Sequence, residues 1–483
     1  MTEAVPKEGT RMVKGINFIG LVALASGTVT GVGFLMMSGD IVASVGSLNL
    51  IWCYVIGMAA ETVAMLSTAT IASCYPSAGS VATYARKVIG SDTLGFLTAI
   101  ALWLGMISID GAELMALGRY IYFFFPQIHY FWWGFIVTVL FIGINLMGVV
   151  LTSRTQSILG ILMWSALFAV PLAVLSSGKA DISYWAVLKE SIGFTDWMTS
   201  IFFGVYCYVG FVTILPAAEE TEKPEKKIPA ALVTGTVITG IIYISGGLAI
   251  ISLRPENELL ALAPEGPFAS VWVKAMEILW DGKGAVFMNW AAISTALTTA
   301  NACIYGGARM LYGMARERQL PEAFRRISEK HKTPTVPILV TGGFILFSVF
   351  SGAIRVVSVI ANFVFFPLWL VISVASYINL SNIKVNGKKY KDVIPFYIPG
   401  GKLWPVLSII MSSALTILTF FATDDVVMGG SIAVLFLVIC WVYYVWWKNY
   451  NLKQGIDIVA EAAKHESVYS DWQKSPAVFN QEK

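Results

Sequence analysis

The sequence predicts an all-α protein embedded in a membrane, with twelve transmembrane helices of which the first and the sixth are broken. Three observations lead there. Apolar residues make up 57% of the 483 residues and charged residues only 13%, far from the balance of a soluble domain. The apolar residues gather into twelve runs, each close to the roughly 20 residues that a helix needs to cross a bilayer. The first and sixth runs carry glycine at mid-depth, where a spanning helix would be better served by leucine or alanine.

The first run, near 17–45, contains Ala25-Ser-Gly-Thr-Val-Thr-Gly-Val-Gly-Phe34, with Gly27, Gly31 and Gly33 in its middle. In hydrocarbon an interrupted backbone is tolerated only where its polar groups line a cavity and find other partners. A broken helix with a binding site at the break is therefore expected, as in many secondary transporters. Close helix packing on small residues is the competing explanation. The next runs lie near 48–73, 93–125, 131–150 and 154–176. The sixth, near 195–217, holds Tyr206-Cys-Tyr-Val-Gly-Phe-Val-Thr-Ile-Leu-Pro216, interrupted by Gly210 and Pro216. The remaining runs lie near 229–252, 285–315, 334–353, 355–381, 403–423 and 426–449.

Two interrupted helices five spans apart point to an inverted repeat. Five is odd, so the second set of five runs upside down relative to the first. The expected organisation is a cytoplasmic N-terminal segment over 1–16 and a ten-helix transport core over 17–381, made of 17–176 and 195–381. Helices 11 and 12 follow over 403–449, then a cytoplasmic tail over 450–483, read as a short amphipathic helix followed by disorder. Tyr443, Tyr444, Trp446 and Trp447 are expected to anchor helix 12 at the interface.

Charge sets the orientation and removes several classes of function. With the N-terminus inside, cytoplasmic segments hold 25 lysines and arginines and external loops hold six. The positive-inside rule then places both termini in the cytoplasm. A net charge of +3 sits in loops rather than on one face, so no nucleic acid is expected. Cys53, Cys74, Cys207, Cys303 and Cys440 are scattered through apolar runs without metal-ligand spacing. No metal or other cofactor is expected, and no catalytic constellation stands out. A channel would show a filter repeat or charged ring instead of paired breaks. The acidic Glu219-Glu-Thr-Glu222 beside Lys223 to Lys227 reads as a solvated cytoplasmic loop.

Four motifs, in order along the chain, carry a family resemblance. They are the glycine-broken first helix, Pro76-Ser-Ala-Gly-Ser-Val-Ala-Thr-Tyr-Ala-Arg86, Ala218-Glu-Glu-Thr-Glu-Lys-Pro-Glu-Lys-Lys-Ile-Pro229, and Ala308-Arg-Met-Leu-Tyr-Gly-Met-Ala-Arg316 followed by Leu320-Pro321. Over about 15–450 the chain resembles the amino acid–polyamine–organocation (APC) transporters. The resemblance implies a fold similar to the bacterial leucine transporter (a LeuT-like fold), alternating access, and amino acids or amines as substrates. At the first break the family usually carries Gly-Ser-Gly or Gly-Ala-Gly, where backbone N–H groups receive the substrate carboxylate. Here the triplet is Gly31-Val32-Gly33. The donors remain, so an anion can still sit at the half-helix end, but the hydroxyl is lost. Either the backbone alone holds a carboxylate, or the substrate has none.

Asp110 and Glu113 lie three residues apart in the third run, on one helical face. Intramembrane acids are costly and usually mark a pathway, a proton relay or an ion pair, with Arg119 the nearest candidate partner. A comparison anchored on Phe123-Phe-Phe-Pro126 resembles the arginine/agmatine exchangers, where both positions line the substrate side-chain pocket and are uncharged. Two carboxylates there favour a cationic end group. The same comparison puts Tyr206 at an aromatic gate and Cys303 where those relatives stack an aromatic ring on the substrate. Asn301 nearby is a candidate to bond an amine or carboxyl group. The expected substrate-binding set is Thr28, Thr30, Gly31, Val32, Gly33, Asp110, Glu113, Tyr206, Tyr208, Gly210, Asn301 and Cys303. Glu61 is the candidate proton carrier, and Thr298 with Thr299 the candidate sodium ligands. The position where some proton-coupled members carry a lysine reads Met163.

The function expected is secondary-active transport of amino acids or related amines across the plasma membrane. The lean is toward cationic substrates such as lysine, ornithine, arginine, agmatine and putrescine, taken up or exchanged as in an amino acid/amine antiporter. A neutral amino acid carrier is the alternative within the class and a non-transporting membrane sensor the alternative outside it. The partners expected are the small-molecule substrate, the lipid bilayer and either a proton or a counter-substrate.

Overall fold

The structure, a computed structural model, describes residues 14–186, 192–261, 270–383, 391, 393–422 and 425–460. Most of the expected N-terminal segment and the tail beyond residue 460 lie outside the described residues. In chain order the α-helices are α1 (Phe18–Val29), α2 (Gly33–Val45), α3 (Ser47–Cys74), α4 (Ser80–Tyr84), α5 (Asp92–Tyr122), α6 (Tyr130–Leu146), α7 (Val149–Ser176) and α8 (Phe194–Tyr206). They continue as α9 (Pro224–Ile251), α10 (Glu256–Ala261), α11 (Val271–Met276), α12 (Lys283–Arg316), α13 (Thr335–Ser351), α14 (Ile354–Asn382), α15 (Leu403–Thr419) and α16 (Asp425–Lys453). Among the described residues, strand-like pairing is limited to one parallel bridge between Ile16 and Thr221.

Among the described residues, eight stretches are long and apolar enough to cross a membrane: 18–45, 47–74, 92–122, 149–176, 194–220, 224–251, 354–382 and 425–453. The protein is an all-α, multi-spanning membrane protein. Helices α6, α13 and α15 are apolar but shorter, at 17 residues each. Outward faces carry large exposed apolar side chains, among them Leu172, Leu175, Phe347, Ile410 and Leu435. Such a surface suits lipid and would be an aggregation liability in water.

The longest helix among the described residues, α12, has 34 residues and is rich in Ala, Gly and Thr rather than Leu and Ile. Small side chains let neighbours approach closely, and α12 packs on α5, α7, α1 and α13. Helix α3 lies along α9 and against α8. The α3–α8 approach depends on glycine on both sides. A Cβ on Gly204 would lie 2.7 Å from the Cys53 carbonyl oxygen, and one on Gly57 would collide with the Gly204 carbonyl and with Tyr208. Gly57→Ala is therefore expected to force α3 and α8 apart at a cost of about 1–3 kcal/mol, seen as a lower melting temperature of the detergent-solubilised protein.

Two apolar stretches change course within their length. Helix α1 stops at Val29, Thr30 sits at φ −82°, ψ 56°, and helical geometry resumes into α2 at Gly33. Helix α8 stops at Tyr206, Gly210 takes φ +135°, and a 3-10 helix runs from Phe211 to Glu220. The positive φ at Gly210 is a conformation that side chains resist.

The acidic stretch at the end of that 3-10 helix corrects the expectation of a solvated loop in part: Glu222 is exposed, whereas Glu219 and Glu220 turn inward. Glu220 is 1% exposed and makes two bonds with the fully buried Arg309, Nε to Oε2 at 3.0 Å and Nη2 to Oε1 at 3.1 Å. The Tyr305 hydroxyl donates to the same carboxylate, and the Arg309 guanidinium lies 4.0 Å from the centre of the Tyr305 ring. Glu219 pairs with Arg316, and Glu317 with Arg86 at 3.0 Å. The Gly15 and Ile16 N–H groups donate to the Glu220 carbonyl. Two arginines on α12, Arg309 seven residues before its C-terminal end and Arg316 at that end, draw these acids inward, which no local run of charge could disclose. The expected interfacial anchor is also corrected in part. Tyr444 is 1% exposed and stacks on Phe96 at 4.5 Å, while Trp446 faces outward.

Candidate functional site

The site is built where α2 begins. A helix start has N–H groups without intrahelical partners and a partial positive charge, and in α2 those groups belong to Val32 and Gly33. No side chain of the local sequence caps them. The cap comes from α5: the Glu113 carboxylate accepts from the Val32 N–H through Oε2 and from the Gly33 N–H through Oε1, the second at 2.8 Å. Glycine is what admits it. A Cβ on Gly31 would run into all three atoms of the Glu113 carboxyl group, and one on Gly33 would lie 2.9 Å from Oε1 and 3.2 Å from the Tyr206 ring. Glu113 is 4% exposed.

Asp110, one turn earlier on α5, is fully buried, and neither of its carboxyl oxygens has a hydrogen-bond partner. It lies within electrostatic reach of Glu113, and Cys303 within reach of both acids. The Arg119 guanidinium sits over Tyr130, 4.7 Å from the ring centre. The two acids expected on one face are thus close together and differ in state, one satisfied by backbone and one not.

Side chains seal the rest of the break. The Tyr243 hydroxyl donates to the Val29 carbonyl at 2.9 Å, and the Tyr54 hydroxyl to that of Phe34 at 3.2 Å. Phe34 stacks on Tyr243 at 4.2 Å, and Tyr208 packs against the same ring at 4.9 Å. The Tyr208 hydroxyl is buried without a partner. Tyr206 is buried beside Gly33, and Gly210 faces Thr28 and Val29.

Several expected contact residues direct their polar atoms at the protein itself. Thr28 donates to the Leu24 carbonyl and accepts from Thr213, and Thr30 bonds Thr239. Asn301 is held in a buried amide chain. Its Nδ2 donates to Gln156 Oε1 at 2.7 Å and to the Thr152 carbonyl at 3.2 Å, while its Oδ1 accepts from Asn145. Gln156 in turn donates to the Ala23 and Thr298 carbonyls at 2.8 and 3.2 Å. Asn301 is therefore a joint between helices rather than a free hydrogen-bonding group. The Thr299 hydroxyl donates to the Gly27 carbonyl at 2.7 Å, and that of Thr298 to the Thr295 carbonyl, with Met163 Sδ 3.3 Å away. Glu61 is fully buried with both oxygens unpartnered. Among the described residues no group of three or more His, Cys, Asp and Glu is arranged to hold a metal ion.

Gln156 and Tyr243 were invisible as site residues to sequence reasoning. The signal for Gln156 was a lone amide near the start of an apolar run; Tyr243 gave none, since one tyrosine in a spanning segment resembles any packed aromatic.

A multi-spanning membrane bundle, with one buried carboxylate capping a helix start and a second one turn away, fits a membrane transporter of a small molecule. The chain belongs to the amino acid permease family, whose model matches residues 20–459, and it is a permease rather than an enzyme. It is 24% identical over 446 residues to the amino-acid permease RocE of Bacillus subtilis (strain 168), covering 88% of this chain and 92% of that one. It is 27% identical over 348 residues to the aromatic amino acid transport protein AroP of Escherichia coli O157:H7, covering 69% and 73%.

Proposed function

We propose that this permease is a secondary-active transporter that works by alternating access and takes cationic amino acids or the corresponding amines. The observation that carries the reading is Asp110, fully buried with no hydrogen-bond partner and one turn from the carboxylate that caps α2. A buried carboxylate without a partner is costly, and a substrate ammonium would relieve that cost. The core is proposed as two inverted sets of five spans within a total of twelve, with the solute held between the interruptions near residues 30 and 210. Both termini are proposed to face the cytoplasm, on the distribution of lysine and arginine.

Exchange, or coupling to a proton carried by Glu61, fits these residues better than sodium coupling. A hard cation wants several free oxygen ligands. The carbonyls of Ala23, Gly27 and Thr298 already accept from Gln156 and Thr299. The likeness to an arginine/agmatine type of exchanger rests on the sequence comparison anchored on Phe123-Phe-Phe-Pro126 alone.

A neutral amino acid is the second reading, favoured by the likeness to a relative named for aromatic amino acid transport. Counterflow in proteoliposomes separates the two. The cationic reading expects saturable exchange of lysine, ornithine, arginine or their amines, reduced at least about tenfold by Asp110→Asn, the size expected for loss of one buried charge contact. Exchange confined to neutral amino acids and unchanged in Asp110→Asn would reject it. No saturable exchange of any amino acid or amine would favour a sensor.

A further inference from the structure

The start of α2 is an anion seat already filled from within. Its two donors, the Val32 and Gly33 N–H groups, each bond one oxygen of Glu113, the pose in which a ligand carboxylate would engage them. The seat is shaped to this occupant. The Glu113 carboxyl group lies so close over Gly31 that even a methyl group there has no room, and the Tyr206 ring closes the side toward Gly33.

A ligand carboxylate arriving here finds both donors taken, the Glu113 charge in its place and the Asp110 carboxyl one turn away. Like charges at such separation in a dry site repel strongly. A ligand ammonium finds the reverse: two Asp110 oxygens that nothing else satisfies, with the neutral thiol of Cys303 nearby.

We propose that Glu113 is the resident carboxylate of the anion seat, and that the site therefore selects amines that lack a carboxylate over their parent amino acids, with the ligand ammonium on Asp110. Glu113 supplies the negative group that an amino acid would otherwise bring. The inference rests on the transport reading above and goes beyond it, because that reading leaves amino acids and amines equal.

The test uses the full chain, purified in detergent and in proteoliposomes, with amine and amino acid pairs as probes: cadaverine against lysine, agmatine against arginine, tyramine against tyrosine. Binding is measured calorimetrically and exchange by counterflow. In the best-bound pair the amine is expected to bind about tenfold or more tightly than its parent, the scale at which an unpaired or repelled buried group discriminates. Glu113→Gln removes the resident charge and is expected to narrow or reverse that ratio by letting the ligand carboxylate compete for the Val32 and Gly33 donors. The wild-type ratio needs no variant, so misfolding of Glu113→Gln leaves the test intact. A wild-type protein that binds and exchanges the parent amino acids as well as or better than the amines would overturn the inference while leaving the transport reading standing. Failure to bind or exchange any member of the pairs would overturn both.

Discussion

Gly31→Ala is expected to lower saturable uptake about 100-fold while leaving the protein folded and in the membrane. The added methyl group would need the space now held by the Glu113 carboxyl group, so the carboxylate must leave the α2 start. Two charge-assisted backbone bonds are then lost at Val32 and Gly33, each worth about 1.5–3 kcal/mol in a buried setting. A displaced Glu113 and a disordered α2 start spoil the arrangement that receives the ligand, and about 3 kcal/mol of lost organisation in the binding-competent state corresponds to roughly two decades in uptake. Initial uptake rates measured beside surface abundance distinguish this from poor expression. Gly343→Ala is the control, since nothing lies within 4 Å of a Cβ there.

Arg309→Met is expected to cost about 3–5 kcal/mol of stability, the usual result of leaving a buried charge without its partner. Glu220 would lose both guanidinium bonds and keep only the Tyr305 hydroxyl and the far weaker influence of its surroundings. The double variant Arg309→Met with Glu220→Gln is expected to recover much of that loss, because replacing both members of a buried pair removes the uncompensated charge. Thermal unfolding in detergent, followed by the fraction remaining monodisperse, reads both effects. An Arg309→Met protein as stable as the wild type would mean that the pair is solvated in the membrane.

The class of protein was legible because crossing a bilayer demands long apolar runs, and few other constraints produce them in this number. The two acids of α5 were legible as well: their spacing alone puts Asp110 and Glu113 on one helical face. What Glu113 binds was not, because its partners are the backbone N–H groups of residues 81 and 80 positions earlier, and backbone leaves no trace in residue type. Glycine was the one indirect sign, read as a break in the helix rather than as room for a carboxylate. The partners of Asn301 were hidden for a related reason. Its amide suited a ligand in chemistry, but Asn145, Gln156 and Thr152 on neighbouring helices already engage it. Glu220 looked solvated among its acidic neighbours, since the arginine that buries it lies 89 residues away.

The most direct measurement is a cryo-electron microscopy map of the wild-type protein in lipid nanodiscs with cadaverine or agmatine bound. It is expected to show the ligand ammonium within hydrogen-bond distance of the Asp110 carboxyl oxygens while Glu113 remains on the Val32 and Gly33 N–H groups. Ligand density remote from both acids, with Asp110 paired to another protein group, would contradict the account.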